Sequence, residues 1–181
     1  MNGNNDVMEK FFKILGFEES YFKDLPNKEK IEINNLKILI KRLKKYNYEK
    51  HELRYILRIN PSLFYLSKEK VEEIGKVIDL LEKYGDEREV IYANPLVLNK
   101  KSDEIKDSVE YLKEYMESSD NAEELLDENV EIYTLSKETL QKSFEEIEKY
   151  LKDKQKVKKL VNEIPVIIGI TDINAMLKYI F

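Results

Sequence analysis

One spacing constrains this chain more than any other. Pro26, Pro61, Pro95, Val130 and Pro165 stand 35, 34, 35 and 35 residues apart, and Ser67, Ser102, Ser136 and Thr171 follow with separations of 35, 34 and 35. Two independent markers sharing one period indicate a chain built from repeated supersecondary units. Proline has no N–H to donate and clashes with the preceding turn, so a helix must stop before it. A Ser or Thr a few residues later can accept from the free N–H groups of the next helix. Each cycle therefore reads as a helix, a turn, a second helix, a break with a short 3₁₀ turn, and a cap. Val130 stands where the pattern has proline, so that break is expected to be softer.

Apolar positions keep the same period. Four and five residues before the breaks come Phe22 and Tyr21, Leu57 and Ile56, Ile91 and Val90, Leu126 and Leu125, and Val161 and Leu160. Two and three residues after them come Leu63-Phe64, Val97-Leu98, Ile132-Tyr133 and Ile167-Ile168, which would pin each connector into the core. The first helices carry stripes at offsets of three and four, such as Leu36, Leu39, Ile40 and Leu43, or Ile105, Val109, Leu112 and Met116. Gly16 and Gly85 stand where a left-handed residue can end a first helix. The reading is an all-α solenoid of about 35-residue repeats forming a single domain. It has a partial unit at 6–31, full units at 32–66, 67–101, 102–135 and 136–170, and a capping helix at 171–181. Val7, Phe11, Ile14 and Leu15 are the expected buried stripe of the first helix.

Composition narrows the chemistry. Charged residues make up 37% of 181 residues, with 5 Gly, 4 Pro, no Cys and one His, so thiolate ligation is excluded and a nitrogen-ligated metal is not expected. No apolar run approaches the ~20 residues that cross a bilayer. Gly75 and Gly85 form no phosphate loop, and Asp120-Asn121…Asp127-Glu128 lacks the spacing and glycine of a calcium loop. A general base needs an orienting partner together with a nucleophile or pocket, and nothing near His51 supplies such a triad. No enzyme, cofactor, membrane contact or small-molecule substrate is expected. The N-terminal residues show no signal or transit character, so a cytoplasmic protein is expected.

The residues Leu15-Gly16…Pro26, Pro61-Ser62-Leu63-Phe64…Ser67 and Tyr84-Gly85…Pro95-Leu96-Val97-Leu98…Ser102 resemble the repeat of mitochondrial transcription termination factors, the mTERF family. The resemblance covers roughly residues 15–171. It implies stacked units of two α-helices and a 3₁₀ turn, curved into a superhelix. It also implies a basic concave side that binds double-stranded DNA or structured RNA without enzymatic activity, in transcription regulation or RNA handling. With no transit peptide expected, a bacterial, phage or mobile-element relative is the expectation.

The net charge of −5 hides an uneven distribution. Residues 28–58 hold ten Lys or Arg against four Glu, and residues 103–150 hold sixteen Asp or Glu against five Lys. The candidate nucleic-acid contacts are Lys37, Lys41, Arg42, Lys44 and Lys45 on one helix, and Arg54 and Arg58 on the next, because a row of cations neutralises phosphates and releases counterions. A second basic run covers Lys152, Lys154, Lys156, Lys158 and Lys159. The acidic third unit, from Glu114 to Glu131, suits a basic protein partner instead, which gives the alternative of an adaptor or inhibitor.

Overall fold

The computed structural model describes residues 3–85 and 87–180. Among them, eleven α-helices run as α1 Gly3–Leu15, α2 Glu19–Asp24, α3 Ile33–Lys45, α4 Lys50–Ile59, α5 Lys68–Tyr84, α6 Glu87–Ala93, α7 Ser102–Met116, α8 Ser119–Glu128, α9 Lys137–Leu151, α10 Lys154–Glu163 and α11 Ile173–Ile180. Five 3₁₀ turns stand at Lys28–Lys30, Pro61–Tyr65, Pro95–Asn99, Val130–Thr134 and Pro165–Gly169, and the described residues contain no strand. The chain forms two compact units, residues 1–78 and 79–181, dividing inside α5.

The break is a backbone state that proline favours but does not alone create. Asn60, Asn94 and Ile164, each before a proline, have φ/ψ of −121/76°, −138/86° and −138/71°. Asn129, before Val130, has −142/82°. The third break therefore has the geometry of the others. Its connector is held by Ile132 and Tyr133, both buried, and by Asn129 Nδ2 donating to Pro165 O at 3.1 Å. The first break differs: left-handed Asn27 (φ 48°) separates Pro26 from its 3₁₀ turn.

The apolar pairs flanking the breaks are buried apart from Tyr21, which is half-buried. The stripes of α3, α5, α7 and α9 are buried as the period requires, with Leu151 half-buried at the end of α9. The first helix departs from expectation. Its buried residues are Met8, Phe12 and Leu15, while Val7 and Ile14 are 45% and 67% exposed. Residues 7, 11, 14 and 8, 12, 15 share the same four-then-three spacing, so α1 offers two adjacent stripes. Tertiary contact selects the second: the Phe12 ring lies 5.1–5.3 Å from those of Phe17, Phe22 and Phe64.

Two expected caps are displaced by one residue. Ser67 Oγ accepts from Lys70 N and Ser136 Oγ from Thr139 N, each at 3.2 Å. Ser102 instead lies within the first turn of α7, because that helix begins one residue earlier in the period. α11 begins one residue later, so Asp172 Oδ1 rather than Thr171 accepts from Ala175 N, at 2.9 Å. Gly16 ends α1 with φ +84°, as expected, whereas Gly85, which follows α5 in the same way, is not left-handed. Left-handed Asn47, Glu117 and Lys152 close α3, α7 and α9.

Candidate nucleic-acid interface

The basic hairpin lies in the first unit. Burial of Leu36, Leu39, Ile40 and Leu43 turns Lys37, Lys41, Lys44 and Lys45 of α3 outward, and all four are exposed. On α4, a capping box fixes the start: Glu49 N donates to Glu52 Oε2 at 2.7 Å, and the Glu49 side chain accepts from the third-residue amide. Leu53, Ile56 and Leu57 then face inward, and Arg58 is exposed. Among the described residues, no carboxylate pairs with Lys37, Lys41, Lys44, Lys45 or Arg58. Lys37 Nζ stands 5.9 Å from the Phe11 ring centroid, and Arg58 Cζ stands 5.9 Å from that of Tyr21.

Arg42 and Arg54 occupy a different setting: each is half-buried and seated against a glycine of a neighbouring helix end or face. Arg54 Nη1 donates to Gly16 O at 2.8 Å, capping the end of α1. A methyl at Gly16 would meet that nitrogen at 2.8 Å and would also require an L-residue at φ +84°. Gly75, inside α5, leaves room for the Arg42 guanidinium, whose carbon a methyl there would meet at 2.6 Å. Of the seven predicted contacts, five are exposed with no carboxylate partner among the described residues and two tie elements of the unit together. Sequence reasoning passed over Lys50, which precedes Arg54 by one helical turn and whose Cε also lies near Gly16. The 50, 54, 58 spacing carried that signal.

The mTERF family model matches residues 18–180. The chain belongs to the mTERF family. No curated protein matches it.

In this mTERF-family chain several cations of the second unit are paired with carboxylates. Lys158, 8% exposed, and Lys154 reach the two oxygens of Glu117 at 2.8 and 3.1 Å. These contacts, led by the hydrogen bond from Lys158, hold the Glu117 carboxyl below its ordinary range. Lys113 pairs with Glu123 at 2.7 Å, Lys159 lies 3.7 Å from Glu163, and Asn94 donates to Glu131. The second basic run is thus partly consumed as structural ion pairs. Asp120, Glu124, Asp127 and Glu128 of α8 remain exposed. His51 Nδ1 sits 3.3 Å from Glu49 Oε2. Among the described residues, no group of His, Asp and Glu is placed to hold a metal, and no helix is long and apolar enough to cross a membrane.

Proposed function

We propose that this protein binds nucleic acid without catalysing a reaction on it, through the α3–α4 hairpin. Lys37, Lys41, Lys44, Lys45 and Arg58 contact phosphates, and Arg42 and Arg54 hold the helices that carry them while offering their remaining donors. The observation that carries this reading is five exposed cations on adjacent helices with no carboxylate partner among the described residues. A structural ion-pair network would have supplied such partners, as the second unit does for Lys154 and Lys158. Family membership supports the same reading, because the mTERF repeat is a nucleic-acid-binding architecture.

Unpaired surface cations act by displacing condensed counterions, so affinity must fall with salt. With about four or five phosphates neutralised, log K against log[salt] should have a slope of roughly −3 to −4.5. The test is a titration of duplex DNA, single-stranded DNA and structured RNA at two salt concentrations, with wild type and the Lys41→Glu/Lys44→Glu double variant. Reversing two charges should weaken binding by two orders of magnitude or so while helicity stays constant. Unaltered affinity in the variant would refute the assignment. Absence of binding by wild type at low salt would move the search to a protein partner for the exposed carboxylates of α8.

A further inference from the structure

An open notch of about 420 Å³ lies in the first unit, between the α1–α2 turn and α4. Its volume falls within the roughly 300–1,000 Å³ of small-ligand sites. Gly16, Ser20, Tyr21, Arg54 and Arg58 line it together with Glu18, before the first residue of α2, and Asp24, at its last. Arg54 and Arg58 are one helical turn apart and share a face of α4. The bond from Arg54 to Gly16 O fixes one guanidinium and leaves most of its five N–H donors unspent. Arg58 makes no ion pair among the described residues and stands against the Tyr21 ring. Ser20 and Tyr21, each with a hydroxyl that can donate, also line the notch.

We propose that this notch binds the phosphate monoester of a nucleotide, either the terminal phosphate of a nucleic-acid strand or that of a free mononucleotide. The strand-end form rests on the hairpin reading above. Two planar guanidinium forks match the several terminal oxygens of a dianionic monoester. An internal phosphodiester presents only two such oxygens and continues on both sides. Glu18 and Asp24 also line the notch, so a strand that continues on both sides meets more carboxylate repulsion than one that ends there. For a strand end, such a carboxylate can accept from a sugar hydroxyl. The same carboxylates disfavour inorganic phosphate, which has no sugar to offer them.

The experiment uses the full chain and two probe sets. AMP, adenosine and inorganic phosphate are titrated calorimetrically. Ten-residue oligonucleotides bearing a 5′-phosphate, a 3′-phosphate or neither are followed by fluorescence anisotropy. AMP should bind about tenfold or more tightly than adenosine or inorganic phosphate, and one end-phosphorylated strand should exceed the unphosphorylated strand by a similar factor. In Arg58→Gln, with helicity checked by circular dichroism, both ratios should fall to near one. In Lys41→Glu/Lys44→Glu, all oligonucleotides should weaken while the end-phosphate ratio persists. Oligonucleotide binding with no end preference and no AMP preference overturns the notch and leaves the hairpin reading standing. AMP binding that depends on Arg58, with no oligonucleotide binding, overturns the hairpin reading and assigns the notch to free nucleotides. Ratios that survive Arg58→Gln overturn the notch outright.

Discussion

Tyr115 carries a buried hydroxyl that finds no hydrogen-bond partner among the described residues. Its ring stacks on Phe144 at 4.0 Å and 27°, and Lys154 Nζ lies 4.9 Å from its centroid. Burial pushes the phenol well above its ordinary range, with the Glu148 carboxylate adding to the shift. The ring has a reason to be there and the hydroxyl has none. An orphaned buried donor costs its desolvation penalty, whereas an apolar group of the same shape does not. Tyr115→Phe should therefore stabilise the protein by about 1 kcal/mol, read as a rise in the urea midpoint at constant m value. A fall would show that the hydroxyl is satisfied by water. Tyr133 contrasts with it: burial raises that phenol to about 12, and its ring anchors the third connector.

Elements were legible in the sequence where a single rule decides them. Proline stops a helix, apolar offsets of three and four choose its face, and the 35-residue period repeats both, so the breaks and the 3₁₀ connectors fall at the expected residues from Pro61 onward. Where two local solutions compete, tertiary contact decides. The α1 stripe shifted by one residue because Phe12, not Phe11, reaches Phe64. The caps at Ser102 and Thr171 moved because helix starts vary by one residue around the period. Within the candidate site, the exposed lysines were legible as the face opposite an apolar stripe, but the seats of Arg42 and Arg54 were not, since they depend on glycines 33 and 38 residues away. Gly75 supplies a test of that pairing. Alanine in a helix interior is favoured over glycine by about 1 kcal/mol, yet here it must expel the Arg42 guanidinium. Gly75→Ala should stabilise the Arg42→Ala background by about that amount and stabilise wild type by clearly less. Equal effects in a denaturation double-mutant cycle would mean that the two residues are uncoupled.

At the scale of the whole molecule, charge is divided between the units: the cation-rich stretch 28–58 lies in the first and the acid-rich stretch 103–150 in the second. Stability against acid, by contrast, draws on both units. Four carboxylates in the two units are held below their ordinary value of 4.5 in the folded chain. Glu117 is lowered first by hydrogen bonds from Lys158 and Lys154, and Glu19 by Lys23. Glu69 and Glu138 are lowered by their own backbone N–H groups and then by the cap hydroxyls of Ser67 and Ser136. A depressed folded value means that, between the two values, the unfolded chain binds more protons than the folded one, so stability rises with pH in that window. The contribution is complete above the unfolded value and is lost as pH falls through the folded values. Thermal midpoints should therefore vary little through these four groups from neutrality to about pH 5.5, then drop as pH passes below 4.5. Glu117 also stands in the left-handed conformation at the end of α7, where its pairs with α10 offset the backbone cost. Glu117→Gln should accordingly lower the midpoint at neutral pH and make the acid-side slope shallower, because a group that cannot titrate leaves the linkage. A parallel shift of the whole curve, with unchanged acid slope, would place the role of Glu117 in packing rather than in its charge.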